Sequence, residues 1–328
     1  MDGLPTLLLT GASGFVGGRL LERLRDPGRH GLGHLAGLPV LAFSRREPRS
    51  WPQPGVAWSP CDLTDPDAVQ RAVFEGLAER RGPLWVLHLG GLADPRLAAR
   101  HPRQARSANA EGTRNLLVAL SNVVGADAPG RVLLVSTAAV YGQRALDAEG
   151  RIPAGTRPRT RTAYGWSKRL AERAALACPA PGLEVVVARP YNHAGPGQGA
   201  GYVVPDLCAD LRAALAEARP MRTGNLWPER DLLHVDDVLD AYLVLLERGE
   251  AGTVYDVARG EARPVRDILD GLVDRLGAPV AIEPDPERVR AGESPRIVGD
   301  ASRLRALGWE PTRDLDAILD DAVGAGSA

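Results

Sequence analysis

Short apolar runs recur through the first 190 positions, at 7–10, 40–43, 84–89, 132–136 and 185–188, and amphipathic stretches at 19–25, 68–80, 109–120 and 163–176 fill the intervals between them. A strand that is apolar on both faces must be covered on both sides, and the intervening helices supply that cover. The alternation therefore predicts an α/β chain built on a doubly wound parallel sheet. After residue 190 the pattern changes. Residues 190–201 are rich in Gly and Pro and read as a loop, followed by a helix near 203–217, short strands, a helix over 235–247 and a strand over 253–257. Two stretches stand out without an assigned role: 26–39 is long for a helix-to-strand connection, and 143–162 reads as an arginine-rich surface loop.

The first run ends in a turn whose glycines, Gly11, Gly14 and Gly17, are spaced three apart and open a helix. Glycines there permit a tight turn and let the backbone approach a pyrophosphate, whose charge then sits at a helix N-terminus. The expected contacts are Gly11, Ser13, Gly14, Phe15, Val16 and Gly17, so the fold is expected to be Rossmann-like. Where an acidic residue would hold the ribose 2′-hydroxyl of NAD, the chain reads Ser44, Arg45, Arg46. A hydroxyl and two cations suit a 2′-phosphate and so NADP(H), although a solvated surface pair also accounts for the arginines. Asp62 lies where a carboxylate can accept from the adenine amino group, or else cap the helix that begins near Pro66. Leu63 and Leu89, beside the same strand ends, complete the expected cofactor contacts.

Of 40 Lys and Arg residues, Lys168 is the one lysine, and it stands four residues after Tyr164. Lysine is a compact point charge where arginine is a wide planar fork. At i and i+4 the two side chains share a helix face, so the ammonium can lower the phenol from its ordinary ~10 and make it an acid or base near neutrality. An amphipathic helix with a leftover lysine is the plainer reading; the glycine turn and the hydroxyl pair Ser136-Thr137 favour the catalytic one.

In order, the glycine turn, Ser136-Thr137-Ala138-Ala139-Val140-Tyr141-Gly142 and Tyr164-Gly-Trp-Ser-Lys168 resemble the extended short-chain dehydrogenase/reductase family, nearly end to end. Asn109-Ala-Glu-Gly-Thr-Arg-Asn-Leu116 is similar to the family's stretch on the helix before the 132–136 run. The resemblance implies catalysis by Thr137, Tyr164 and Lys168, with hydride moved to or from a sugar carbon. Arg189-Pro-Tyr-Asn-His-Ala-Gly-Pro-Gly-Gln198, Gly224-Asn-Leu-Trp-Pro-Glu-Arg-Asp231 and Gly308-Trp-Glu-Pro311 resemble the GDP-4-keto-6-deoxy-D-mannose reductases and their neighbours, the GDP-mannose 4,6-dehydratases. By that likeness Arg230 and Arg290 hold a diphosphate and Glu293 a ribose, with Thr137 and Asn192 also on the substrate; a surface ion pair is the other reading of each arginine. The dehydratases carry an acid just after the Thr, whereas here Ala138 and Ala139 follow Thr137 and accept no proton. A 4-epimerase retains NAD, which suits Arg45 and Arg46 poorly.

The expectation is an NADPH-dependent reductase of GDP-4-keto-6-deoxy-D-mannose giving GDP-D-rhamnose or its C4 epimer. The alternatives are an NAD-dependent UDP- or dTDP-sugar 4-epimerase, a 4,6-dehydratase, and a non-catalytic dinucleotide sensor. The dinucleotide domain is expected over 1–189 plus about 232–258, and an interleaved nucleotide-sugar domain over about 190–231 and 259–328. A formal net charge of −1 offers no field for nucleic acid or membranes. Three scattered cysteines, Cys61, Cys178 and Cys208, show no metal-ligand spacing and suit a reduced cytoplasm, and no leader or membrane span is seen. His193 is expected to pack its loop and His234 to be structural, with no metal. A homodimer through two helices per subunit follows from the family likeness.

Overall fold

The computed structural model describes residues 4–49, 51–80, 82–125, 128–177, 180–277, 279–289 and 293–324. The chain begins with β1 (Thr6–Thr10) and α1 (Phe15–Arg25), then β2 (Val40–Ser44), β3 (Val56–Pro60), α2 (Pro66–Leu77) and β4 (Leu84–His88). Next come α3 (Pro95–Arg100), α4 (Pro102–Arg106), a π-helical turn Ser107–Glu111, α5 (Gly112–Ser121), β5 (Gly130–Val135), α6 (Ala163–Leu176) and β6 (Leu183–Pro190). The later elements are β7 (Asn192–Ala194), α7 (Val203–Ala216), β8 (Met221–Thr223), β9 (Glu229–His234), α8 (Val235–Arg248), β10 (Val254–Val257) and β11 (Ala262–Pro264). α9 (Val265–Leu276), β12 (Ile282–Pro284), β13 (Arg296–Ile297), α10 (Ser302–Arg305) and α11 (Leu315–Gly324) complete it.

Seven strands form one sheet in the order β10-β6-β5-β4-β1-β2-β3. β1 pairs in parallel with β2 (Leu8 opposite Leu41) and with β4 (Leu8 opposite Val86), so the strand order reverses between β1 and β4. In such sheets the reversal opens a crevice beyond the carboxyl ends of the strands, where ligands bind. Leu7, Leu8 and Leu9 are fully buried, each worth ~2 kcal/mol of apolar transfer. α2, α5 and α6 cover one face through Val69, Val73, Leu116, Leu120, Ala171 and Ala175.

The chain divides into two compact units. The first comprises Met1–Gly142, Arg157–Arg189 and Leu239–Tyr255, and the second Gln143–Thr156, Pro190–Val238 and Asp256–Ala328. Three stretches expected in the first unit, 143–156, 232–238 and 256–258, fall in the second. Residues 143–156 belong to the second unit because Ile152 is buried there and donates its N–H to the Val298 carbonyl at 2.9 Å, while Val298 donates to Gly150 at 2.9 Å. Residues 232–238 also join it, since β9 is its central strand, flanked by β11 and β13 and paired with β7. The stretch 190–201 is correspondingly not all loop: Asn192–Ala194 pairs in parallel with Leu232–His234. Ile268, Leu269 and Leu272 of α9 pack with Leu211 of α7 and Ile318 and Leu319 of α11 into this unit's core.

The 26–39 connection is pinned from inside the first unit. Arg23, almost fully buried, donates to the His30 carbonyl at 3.2 Å and to Asp240 on α8 at 2.6 Å, and Leu32, Leu35 and Leu38 are buried.

Candidate active site

At the reversal of strand order the chain leaves β1 through Gly11, whose φ of 73° suits glycine. Its N–H bonds the Phe43 carbonyl at 2.9 Å, tying the turn to β2. A Cβ on Gly11 would lie 2.9 Å from the Gly90 nitrogen, and one on Gly17 only 2.4 Å from the Gly11 carbonyl oxygen, so both positions exclude side chains. α1 then starts with no side-chain cap at Gly14 and no acidic residue in its first turn, leaving N–H groups and a positive helix end for an anion. Ser13 and Gly14 are exposed, Phe15 and Val16 half-buried. This cradle fits a dinucleotide pyrophosphate.

The neighbouring strand ends sort the remaining expected contacts. Ser44 is buried, and its hydroxyl donates to the Arg46 carbonyl at 2.6 Å while accepting from the Trp58 indole at 3.0 Å. Its one proton is thus engaged with the Arg46 carbonyl in this arrangement. Arg45 and Arg46 are exposed. Asp62 accepts from the Thr64 N–H (2.9 Å) and hydroxyl (2.8 Å), which, with Arg45 nearby, hold it below the usual carboxylate range. The cap of α2 is instead Asp65, which accepts from Asp67 and Ala68 N–H, so Asp62 is not the helix cap. Leu63 and Leu89 are half-buried, and the Leu63 carbonyl accepts from the Asn115 amide at 2.9 Å.

α6 carries Tyr164 and Lys168, capped by the Thr162 hydroxyl, which accepts from Gly165 N–H at 3.1 Å. Both side chains are buried, at 9% and 7% exposure. The Lys168 ammonium donates to the Val135 carbonyl at 2.9 Å, at the end of β5. Burial pushes it down to about 8, against the opposing pull of Glu172. Glu172, one turn further along α6, takes a bidentate pair from Arg189 at 2.8 and 2.7 Å, and that guanidinium stacks 4.7 Å from the Tyr141 ring. Thr137, two residues beyond β5, is half-buried, extended, and accepts from Ala139 N–H at 3.2 Å. Beside it the buried Ser136 hydroxyl has no partner among the described residues. An orphaned hydroxyl between a strand end and the Tyr–Lys helix fits a bound polar group in the same place.

Sequence reasoning missed a group that connects these parts. His88 is fully buried at the end of β4, with Nδ1 2.7 Å from the Thr10 hydroxyl and Nε2 2.9 Å from the Thr113 hydroxyl. Asn109 bridges the Leu92 backbone (2.7 and 3.0 Å) and donates to the Ser167 hydroxyl at 2.8 Å, which donates to the Tyr164 carbonyl at 2.7 Å. His88 sits in an apolar run with no sequence signal of its own, and the 109–116 stretch by itself assigns Asn109 no role.

In the second unit, Arg230 donates to the Glu293 carboxylate at 2.6 Å and to the Ser294 carbonyl at 2.9 Å. Two expected substrate residues are therefore together. Arg290 lies outside the described residues, as does Cys178, and Asn192 is exposed on β7. His193 bonds the Tyr191 carbonyl at 3.0 Å. His234 accepts Asp236 N–H at 3.0 Å, capping α8, and contacts Asp321 at 2.7 Å. Among the described residues no group of His, Cys, Asp and Glu is arranged to hold a metal, and no helix is long and apolar enough to cross a membrane.

The profile of the NAD dependent epimerase/dehydratase family matches residues 7–258, which include the glycine turn, Thr137, Tyr164 and Lys168. The chain belongs to that family. Among its relatives, the GDP-6-deoxy-D-mannose reductase of Pseudomonas aeruginosa is 35% identical over 79% of this chain and 85% of its own. A UDP-glucose 4-epimerase of Azospirillum brasilense is 29% identical over 97% and 91%. The NADPH complex of RMD from Pseudomonas aeruginosa superposes with a TM-score of 0.77 at 30% identity, covering 98% of this chain and 99% of that one. The glycine turn and the Tyr–Lys helix of this family chain thus lie in one folded unit.

Proposed function

We propose that this chain is an NADPH-dependent 4-ketoreductase of GDP-4-keto-6-deoxy-D-mannose, forming GDP-D-rhamnose or, by attack on the opposite face, GDP-6-deoxy-D-talose. The observation that carries the reading is the composition of the catalytic turn: buried Tyr164 and Lys168 accompany Thr137, while Ala138 and Ala139 fill the positions after the hydroxyl. Ketone reduction needs one acid and one oxyanion donor; dehydration also needs a base for C5, and alanine offers none. The likeness to the GDP-6-deoxy-D-mannose reductase and to the NADPH complex supports the same choice.

The nicotinamide, when bound, supplies hydride to C4. Tyr164 donates the proton to the developing alkoxide and Thr137 hydrogen-bonds that oxygen. Lys168 stabilises the resulting phenolate by its charge, held in place by the Val135 carbonyl. The α1 N-terminus and the turn at Gly11, Gly14 and Gly17 hold the pyrophosphate, with Ser13, Phe15, Val16, Leu63 and Leu89 around the dinucleotide and Asp62 on the adenine amino group. Exposed Arg45 and Arg46 take the 2′-phosphate. Arg230 and Arg290 take the sugar nucleotide's diphosphate, Glu293 its ribose and Asn192 the substrate. The buried free thiols Cys61 and Cys208 suit a reducing cytoplasm, and the apolar face of α5 and α6 suits a homodimer.

The test is NADPH oxidation with freshly made GDP-4-keto-6-deoxy-D-mannose beside the dTDP- and UDP-linked 4-keto-6-deoxy sugars. Oxidation with the GDP substrate is expected, and the C4 configuration of the product names it; no oxidation with any of the three overturns the reading. Tyr164→Phe is expected to remove turnover at least ~100-fold while NADPH binding persists.

A further inference from the structure

The hydrogen bonds around His88 admit one arrangement of protons. A hydroxyl carries a single proton. That of Thr113 goes to the Asn109 carbonyl at 2.6 Å, so Thr113 Oγ1 must accept from His88 Nε2 across 2.9 Å, and Nε2 carries hydrogen. On the other side, Thr10 Oγ1 already accepts the Gly90 N–H at 2.9 Å. A second ring N–H aimed at it would leave the Thr10 proton without an acceptor, so Nδ1 is bare and accepts from Thr10 across 2.7 Å. The ring is neutral and locked in one tautomer; burial, helped by the Lys168 ammonium, pushes it down to about 3.

Each end of this chain of bonds reaches a different part of the site. Thr10 and Gly90 bracket the glycine turn, since a Cβ on Gly11 would strike the Gly90 backbone. From Thr113 the path runs through Asn109 and Ser167 to the Tyr164 carbonyl at the start of α6. We propose that His88 is a positioning residue whose single tautomer ties the dinucleotide turn to the helix bearing Tyr164 and Lys168, through Thr10 on one arm and Thr113 on the other. The Tyr164 arm rests on the proposed function; the Thr10 arm needs only a bound dinucleotide.

Two substitutions separate the arms. In His88→Asn the side-chain amide reaches as far as Nδ1 and preserves the Thr10 arm; in His88→Gln it reaches as far as Nε2 and preserves the Thr113 arm. His88→Asn is expected to lower kcat about tenfold while raising the NADPH Kd less, and His88→Gln to raise the NADPH Kd about tenfold while lowering kcat less. His88→Phe, which serves neither arm, should show both losses. A purely structural histidine would give parallel losses in the two variants, and that result, or no change in either, overturns the proposal. Should either variant fail to fold, nitrogen-15 NMR of the wild-type holoenzyme decides: the His88 ring must show hydrogen on Nε2 and none on Nδ1, unchanged from about pH 5 to about pH 9. A titrating ring or the other tautomer overturns it. The NADPH Kd and the spectrum need no sugar substrate, so they stand even if no nucleotide sugar is turned over.

Discussion

Lys168 stands where a cation is costly to hold, and the cost explains the residue type. Burial brings its ammonium down to about 8, a range arginine does not reach, so only lysine offers a buried charge that responds to its neighbours near neutrality. His88 and Asp231 show the same physics with opposite signs. The His88 pKa falls from 6.5 to about 3, so the folded chain binds fewer protons than the unfolded one across that interval. Its contribution to stability is complete above 6.5 and is lost as pH falls toward 3. Burial raises Asp231 from 3.8 to about 6, against the downward pull of the N–H groups of Arg259, Gly260 and Gly299 from which it accepts; it contributes fully below 3.8 and loses that as pH rises through 6. Urea unfolding at stepped pH should therefore show a shallower acid loss for His88→Gln than for the wild type between 6.5 and 3. Parallel curves would mean that the ring is not held neutral. Nothing in the sequence around His88 announces this, because a histidine in an apolar run has the same neighbours whether it is locked or free.

At the level of elements, local chemistry made most boundaries legible. The helix expected over 163–176 is α6, since a threonine cap begins it and the Tyr–Lys face repeats at helical spacing. α1 starts earlier than the amphipathic stretch at 19–25, because Gly17 and Gly18 hide the periodicity of its first turn. Those two glycines are not equivalent. A Cβ on Gly17 meets the Gly11 carbonyl at 2.4 Å and the Ala12 backbone at 2.9 Å, whereas on Gly18 the nearest atom is 3.8 Å away. Gly17→Ala should lose NADPH affinity at least ~10-fold and about 1–3 kcal/mol of stability, with Gly18→Ala near wild type, measured by cofactor titration and thermal melts. Equal behaviour of the two would contradict the close turn. The cap of α2 shows where local reading fails: Asp62 and Asp65 both precede the helix, and the choice of Asp65 depends on Thr64 occupying Asp62.

For the molecule as a whole, the face of α5 and α6 presents Arg114, Leu117, Val118 and Ala174 along one groove, with Val118 54% exposed and Leu176 42%. On the proposed dimer, Val118→Asp should yield monomer by sedimentation at concentrations where the wild type is a dimer; an unchanged mass would place the interface elsewhere. The sequence alone determined the doubly wound sheet, the glycine cradle and the Tyr–Lys pair, because each depends on periodicity or on residues within a few positions of one another. Tertiary structure decided what depends on distant partners. It assigned 143–156 to the second unit through pairing with Val298, and it paired Ser44 with Arg46 and Trp58. It also brought His88 to Thr10, 78 residues away, and to Thr113, 25 away. Hydrogen bonds of that separation form only when strand register and helix packing deliver both ends, so no local pattern in the chain records them.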